Sequence, residues 1–231
     1  MQTTKILVIG GVAAGASFAA RARRLCENAE ITIIERGPDV SFANCGLPYF
    51  VGGEISSREA LAVQTPATLK SMLKLDVRTR CEAIQIERAT QQVQIRDLDS
   101  GESEWLSYDK LMLAPGASPL RPAIPGISDK RILSLRSLQD MDRIVAASET
   151  GMRAVVVGAG FIGLEMSEQL QRKGLSVHLV ELQQQVFPQL DALMAALLES
   201  ELTRNHISLT LGDAIAHFES APNIVRCHLH S

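Results

Sequence analysis

Residues 155–165 read VVVGAGFIGLE, and this stretch decides the fold. Consecutive valines form the apolar run of a buried strand, and Gly158, Gly160 and Gly163 complete the spacing G-x-G-x-x-G where strand gives way to helix. The first two glycines permit a tight turn and close approach of backbone to a pyrophosphate. The third lets helix pack on strand, and the helix N-terminus offers free N–H groups to the anion. Phe161 and Ile162 complete the candidate loop. A helix follows to about Lys173, then the strand VHLVE (177–181), so that Glu181 stands 18 residues after Gly163. A carboxylate there can accept hydrogen bonds from ribose hydroxyls and repel a 2′-phosphate, which favours NADH over NADPH.

The same pattern occurs earlier. KILVI (5–9) predicts a strand, glycines 10, 11 and 15 a turn, SFAARARRL a helix to about Cys26, and ITIIE (31–35) a second strand. Gly10, Gly11 and Gly15 match, while Val12 takes the middle glycine position, with Ala13 and Ala14 completing the loop. Glu35, 20 residues after Gly15, repeats the ribose logic, with Arg36 beside it. The chain therefore reads as a duplicated βαβ unit with two dinucleotide sites. An apolar run after Lys5 has a superficial likeness to a signal peptide, but a strand followed by a glycine turn and an arginine-bearing helix explains it as folded structure.

Between the halves, AIQIER, QQVQIRDL and SEWLSY within residues 76–113 predict a small antiparallel meander. LMLAPGASPLRPAIPG (111–126) carries four prolines, the composition of a crossing between domains, and its Ala114, Pro115 and Gly116 are candidate cofactor contacts. The boundary is placed near residue 120, giving domains 1–120 and 121–231. A helix over about Leu190–Arg204 and strands in ISLTL, AIAHFE and NIVRCHL complete the second, and Gly212-Asp213 is read as a turn. The fold class is α/β: two Rossmann-like three-layer dinucleotide-binding domains, with parallel sheets and antiparallel β-meander crossovers, incomplete at the C-terminus.

Composition is 46% hydrophobic with a formal net charge of −3, so real cores are expected and no basic field suits nucleic acid or an anionic membrane. No apolar run reaches the roughly 20 residues of a membrane span. Four cysteines, at 26, 45, 81 and 227, show no C-x-x-C pair, which indicates neither a disulfide framework nor a metal site and suits a reducing, cytoplasmic compartment. Cys45 stands apart. It precedes a short helix expected over GLPYFVGG, whose N-terminal N–H groups would stabilise a thiolate. Cys26, Cys81 and Cys227 are read as small buried hydrophobes.

Together, IGGVAAGASFAARARRL, SFANCGLPY, LMLAPGASPLRPAIPG and VVVGAGFIGLE resemble the single-cysteine branch of the flavin-dependent pyridine nucleotide-disulfide oxidoreductases, and are most similar to coenzyme A-disulfide reductases. By that resemblance the first half would bind FAD and the second NADH, and Cys45 would reduce a small-molecule disulfide or persulfide. A second cysteine five positions on, as in the dithiol branch, is replaced by Phe50. The resemblance further implies coenzyme A contacts from Ser17, Arg21, Arg24, Ser41 and Asn44, the last also near the flavin. Arg21 and Arg24 lie three apart on one helix and could grip phosphate.

Parts of the family pattern are not seen: the return into the FAD domain, a late Gly-Asp flavin motif and a C-terminal dimerisation domain. By resemblance, the chain is expected to be the N-terminal portion of a homodimeric enzyme, with little activity alone. An NADH oxidase or peroxidase cycling Cys45 through sulfenic acid, and a non-catalytic nucleotide-binding redox module, are the alternatives.

Overall fold

Four apolar residues in a row, Ile6–Ile9, make a stable strand only when both faces are covered, and here both are. The computed structural model describes residues 3–231. In chain order the first half contributes β1 (Lys5–Ile9), α1 (Ala14–Leu25), β2 (Glu30–Ile34), α2 (Leu47–Val51), α3 (Pro66–Leu73), β3 (Asp76–Arg78), β4 (Cys81–Glu87), β5 (Gln92–Asp97), β6 (Ser103–Ser107) and β7 (Lys110–Leu113). The second contributes α4 (Leu138–Ala147), β8 (Arg153–Val157), α5 (Phe161–Arg172), β9 (Ser176–Glu181), α6 (Ala192–Arg204), β10 (Ser208–Leu211), β11 (Ile215–Ser220) and β12 (Val225–Leu229).

Contacts group these elements into two units, one of residues up to Ala43 with Glu59–Ala117, the other of Asn44–Arg58 with Ser118–Ser231. The first unit has three layers. Its central sheet is parallel, in the order β3-β2-β1-β7. Ile6, Val8, Ile31 and Ile33 share a core with Ala19 of α1 and Leu69 of α3, while Leu7 and Ile34 share one with Cys81, Val93 and Ile95 of the antiparallel sheet β4-β5-β6. Strand alternation thus sends one set of side chains to the helices and the other to the meander. Residues 76–78 and 110–113, expected within the meander, instead pair in the parallel sheet as β3 and β7.

The second unit repeats the parallel arrangement in the order β10-β9-β8 and adds the hairpin β11–β12. Leu179 and Val180 of β9 are buried, but Val155 and Val157 of β8, expected in a buried strand, are exposed, because β8 is an edge strand of this sheet. Gly212 turns between β10 and β11 with φ +70°, in keeping with its reading as a turn. The helix expected from Leu190 begins at Ala192 behind Asp191, whose side chain caps it. Two helices that the sequence reading omits, α3 and α4, each start at a capping box, Thr65 with Thr68 and Ser137 with Asp140. Among the described residues, no helix is long and apolar enough to cross a membrane.

Candidate functional site

Two loops are built alike, one in each unit. The Gly10 N–H donates to the Ile34 carbonyl and the Gly158 N–H to the Val180 carbonyl, each at 2.8 Å, so each loop leaves its first strand hooked to the end of the second. Both first glycines have φ near +95°, at +94° and +97°, which side-chain-bearing residues rarely adopt. A Cβ on Gly15 would stand 1.8 Å from the Gly10 carbonyl oxygen, and one on Gly163 1.8 Å from that of Gly158. The third glycine therefore brings the helix onto its own turn. Open space surrounds the Cα of Gly160, whose φ of −78° any residue adopts, which explains how Val12 can occupy the equivalent position.

Each loop is closed by its acidic residue. Glu35 accepts hydrogen bonds from the N–H groups of Gly11 at 2.8 Å and Gly37 at 2.7 Å. Glu181 accepts from Ala159 at 2.7 Å and Gln183 at 2.8 Å, and is 8% exposed. Both carboxylates are loop latches as well as candidate ribose ligands; an ionised carboxylate has about four lone-pair sites, so capacity remains for hydroxyl donors. Neither α1 nor α5 has a side-chain cap or an acidic residue in its first turn, so their leading N–H groups can receive an anion. These are cradles that a dinucleotide pyrophosphate fits.

The other expected residues fall as follows. Ala114 meets the first loop, its carbonyl oxygen standing 2.0 Å from where a Gly10 Cβ would be, and Pro115 and Gly116 continue from it. Val12 is half-buried, while Ala13 and Ala14 are exposed. Arg36 is largely exposed and pairs with Glu82 at 3.7 Å. Phe161 is exposed and meets Phe187 edge to face, with centroids 4.3 Å apart, while Ile162 is exposed beside it. Ser41 donates its N–H to the Gly11 carbonyl at 2.9 Å from a left-handed conformation, φ +46°.

On α1, Ser17, Arg21 and Arg24 are exposed at positions i, i+4 and i+7, one face of the helix. Among the described residues neither arginine has a hydrogen-bond or ion-pair partner. Arg23 between them is committed, donating to the carbonyls of Glu27, Ala29, Leu73 and Lys74 at 2.6–3.0 Å.

Cys45 is exposed, in a 3-10 turn of Asn44–Gly46 that precedes α2. The helix expected over GLPYFVGG is only Leu47–Val51. One turn carries little dipole, so stabilisation of a thiolate by the helix N-terminus loses its basis. The Asn44 Oδ1 is buried without a hydrogen-bond partner, and Phe50 is half-buried. Cys81 is buried as expected and Cys227 half-buried, and burial pushes both thiols up. Cys26, expected to be buried, is exposed, because it is the C-cap residue where α1 ends. All four cysteines are free, and no cluster of three metal-ligating side chains occurs among the described residues.

Sequence reading missed Gly52, Glu54 and Gln169, which lock α2 onto α5. Their partnership spans more than a hundred residues of chain and leaves no periodic trace.

The family model for pyridine nucleotide-disulphide oxidoreductases matches residues 4–230. This chain belongs to that family. Among curated relatives of this oxidoreductase, a coenzyme A disulfide reductase of Staphylococcus haemolyticus is 38% identical over 213 residues, 91% of this chain and 48% of that protein. That of Staphylococcus aureus strain NCTC 8325 is 35% identical, over 91% and 48%. The chain spans about half the length of the curated relatives it matches. Among solved structures, reduced Bacillus anthracis CoADR-RHD superposes with TM-score 0.93 at 41% identity, covering 98% of this chain and 41% of that one. An NAD-dependent persulfide reductase from A. fulgidus gives 0.93 at 35%, over 98% and 43%. The NADH-bound water-forming NADH oxidase from Lactobacillus brevis gives 0.94 at 26%, over 99% and 51%.

Proposed function

We propose that this chain carries the cofactor sites and the redox thiol of an NADH- and FAD-dependent reductase of coenzyme A disulfide or a related persulfide. The observation that carries this is the repetition of the glycine turn and its carboxylate latch, one per unit, together with the exposed Cys45 in the turn before α2. FAD is assigned to domain 1–120, at Gly10–Gly15, Glu35, Arg36, Asn44 and Ala114–Gly116. NADH is assigned to 121–231, at Gly158–Gly163 and Glu181. When bound, the nicotinamide and flavin supply the electron pair that returns a mixed disulfide to thiolate and thiol.

The remaining chemistry belongs to the chain. The Cys45 Sγ, as thiolate, attacks one sulfur of the substrate disulfide, forming a mixed disulfide as the other sulfur leaves as thiolate. With Phe50 where a resolving cysteine would stand, the mixed disulfide cannot pass to an internal disulfide there. Ser17, Arg21 and Arg24 line one exposed face of α1 with two uncommitted guanidiniums, the chemistry that coenzyme A phosphates require. Ser41 and Asn44 are assigned to the same substrate, and the working enzyme to a homodimer.

Water formation is the second reading, favoured by the likeness to the Lactobacillus brevis oxidase. The test is NADH consumption by the native gene product with coenzyme A disulfide, coenzyme A persulfide or oxygen as acceptor, for wild type and Cys45→Ser. Disulfide- or persulfide-dependent turnover that vanishes in Cys45→Ser supports the first reading. Oxygen as the preferred acceptor supports the second, and undiminished turnover in Cys45→Ser overturns both.

A further inference from the structure

Helix α2 has five residues, too few to hold itself, so what it rests on decides where the preceding turn and Cys45 stand. It packs against α4 and α5 of the same unit. On α5, Gln169 has no exposed surface, an unusual position for a long amide in a helix of this kind. Its Nε2 donates at 2.9 Å to the Glu54 Oε1, and Arg172, one turn further along α5, donates to the same oxygen. Its Oε1 has no hydrogen-bond partner and lies against Gly52, where a Cβ would stand only 1.9 Å away. The residue that ends α2 is thus a glycine because the buried amide occupies its side-chain space. A second clamp closes the segment: the Arg58 Nε reaches both carboxylate oxygens of Asp142 on α4 at 3.1 Å.

Burying an amide with one polar end unpaired costs free energy, and a leucine at 169 would fill space without that cost. What the glutamine adds is a directional bond to a charged partner. Helix α5 is also the helix that begins at the second glycine loop. We propose that Gln169 is the positioning residue for Cys45: with Glu54 and Gly52 it fixes α2, and the turn bearing the thiol, to the helix that starts at the second glycine loop. This rests on the reading of Cys45 as the redox thiol. The lock itself is independent of that reading and separately measurable.

The test uses the native gene product as wild type, Glu54→Ala, Gln169→Glu and the exchanged pair Glu54→Gln/Gln169→Glu. Gln169→Glu sets two carboxylates against each other, and the exchange restores an amide–carboxylate bond with its direction reversed. Loss of a bond to a charged group should speed amide hydrogen exchange over residues 47–51 by about tenfold in each single variant, with recovery in the exchanged pair. Turnover with coenzyme A disulfide should fall about tenfold in parallel while KM for NADH is unchanged, and recover in the exchanged pair. A merely structural role would not give that split and rescue.

Unchanged hydrogen exchange in Glu54→Ala, whose side chain is 42% exposed, overturns the lock. Faster exchange with undiminished turnover overturns the positioning role. Should wild type not reduce the disulfide, the functional reading fails while the exchange data still decide the lock.

Discussion

Gly163 stands so close to Gly158 that a methyl group on it would lie 1.8 Å from the Gly158 carbonyl oxygen, a contact that Gly15 repeats with Gly10. A backbone oxygen cannot swing aside as a side-chain end can. Gly163→Ala and Gly15→Ala should therefore each destabilise the fold by about 1–3 kcal/mol, the cost of overpacking, read as a lowered urea midpoint. Gly160→Ala, in open space, should leave stability within about 0.5 kcal/mol of wild type. It should nonetheless weaken NADH binding about tenfold, by denying the pyrophosphate its close approach.

The three arginines of α1 separate by what they already hold. Arg23→Ala removes a guanidinium bonded to four carbonyls and should cost about 2 kcal/mol of stability in a denaturant titration. Arg21→Ala and Arg24→Ala should change stability by less than about 0.5 kcal/mol, and raise KM for coenzyme A disulfide but not for a small uncharged disulfide. An equal loss with both substrates would reject the phosphate-gripping role.

Thiol labelling should follow exposure. Brief iodoacetamide treatment of the folded chain at neutral pH should modify Cys45 and Cys26 and spare Cys81, whose thiol burial holds above its ordinary value. Peptide mass spectrometry reads the outcome, and urea should make Cys81 as reactive as the others.

The hairpin β11–β12 should loosen first in acid. The Arg131 side chain holds Asp129 below the ordinary 3.8, the Ser231 hydroxyl does the same for Asp213, and His228, then Arg226, hold Glu219 below 4.5. Groups with depressed folded values contribute stability that is present above their unfolded values and lost as pH falls through the folded ones. Amide exchange over residues 215–229 should therefore accelerate below about pH 4 before that of β1 and β2, and Asp129→Asn should remove part of the effect.

Much of this was legible because it is local. The glycine spacings, the flanking apolar runs and the acidic strand ends lie within short windows, and local sterics alone require them. Helices α3 and α4 carry a local start signal in Thr65 with Thr68 and Ser137 with Asp140, but at eight and ten residues they are too short to show a strong apolar period. Strands β3 and β7 have three and four residues, too short to show whether they pair within a meander or flank a parallel sheet. The lock of Gln169 on Glu54 joins residues 115 apart, which no local pattern encodes. In the sequence Glu35 and Glu181 show only as ligands, because a carboxylate's use of nearby N–H groups depends on how the loop folds back.

That fold-back means that each loop is held in shape by the chain's own hydrogen bonds. Glu35 and Glu181 restrain the backbone on both sides of the turn, so a dinucleotide bound as proposed would meet a mould already set, and the entropy of ordering the loop would fall on folding instead of on association. Affinity at either loop can then be tuned by its contact atoms alone, with little change in the shape they are mounted on.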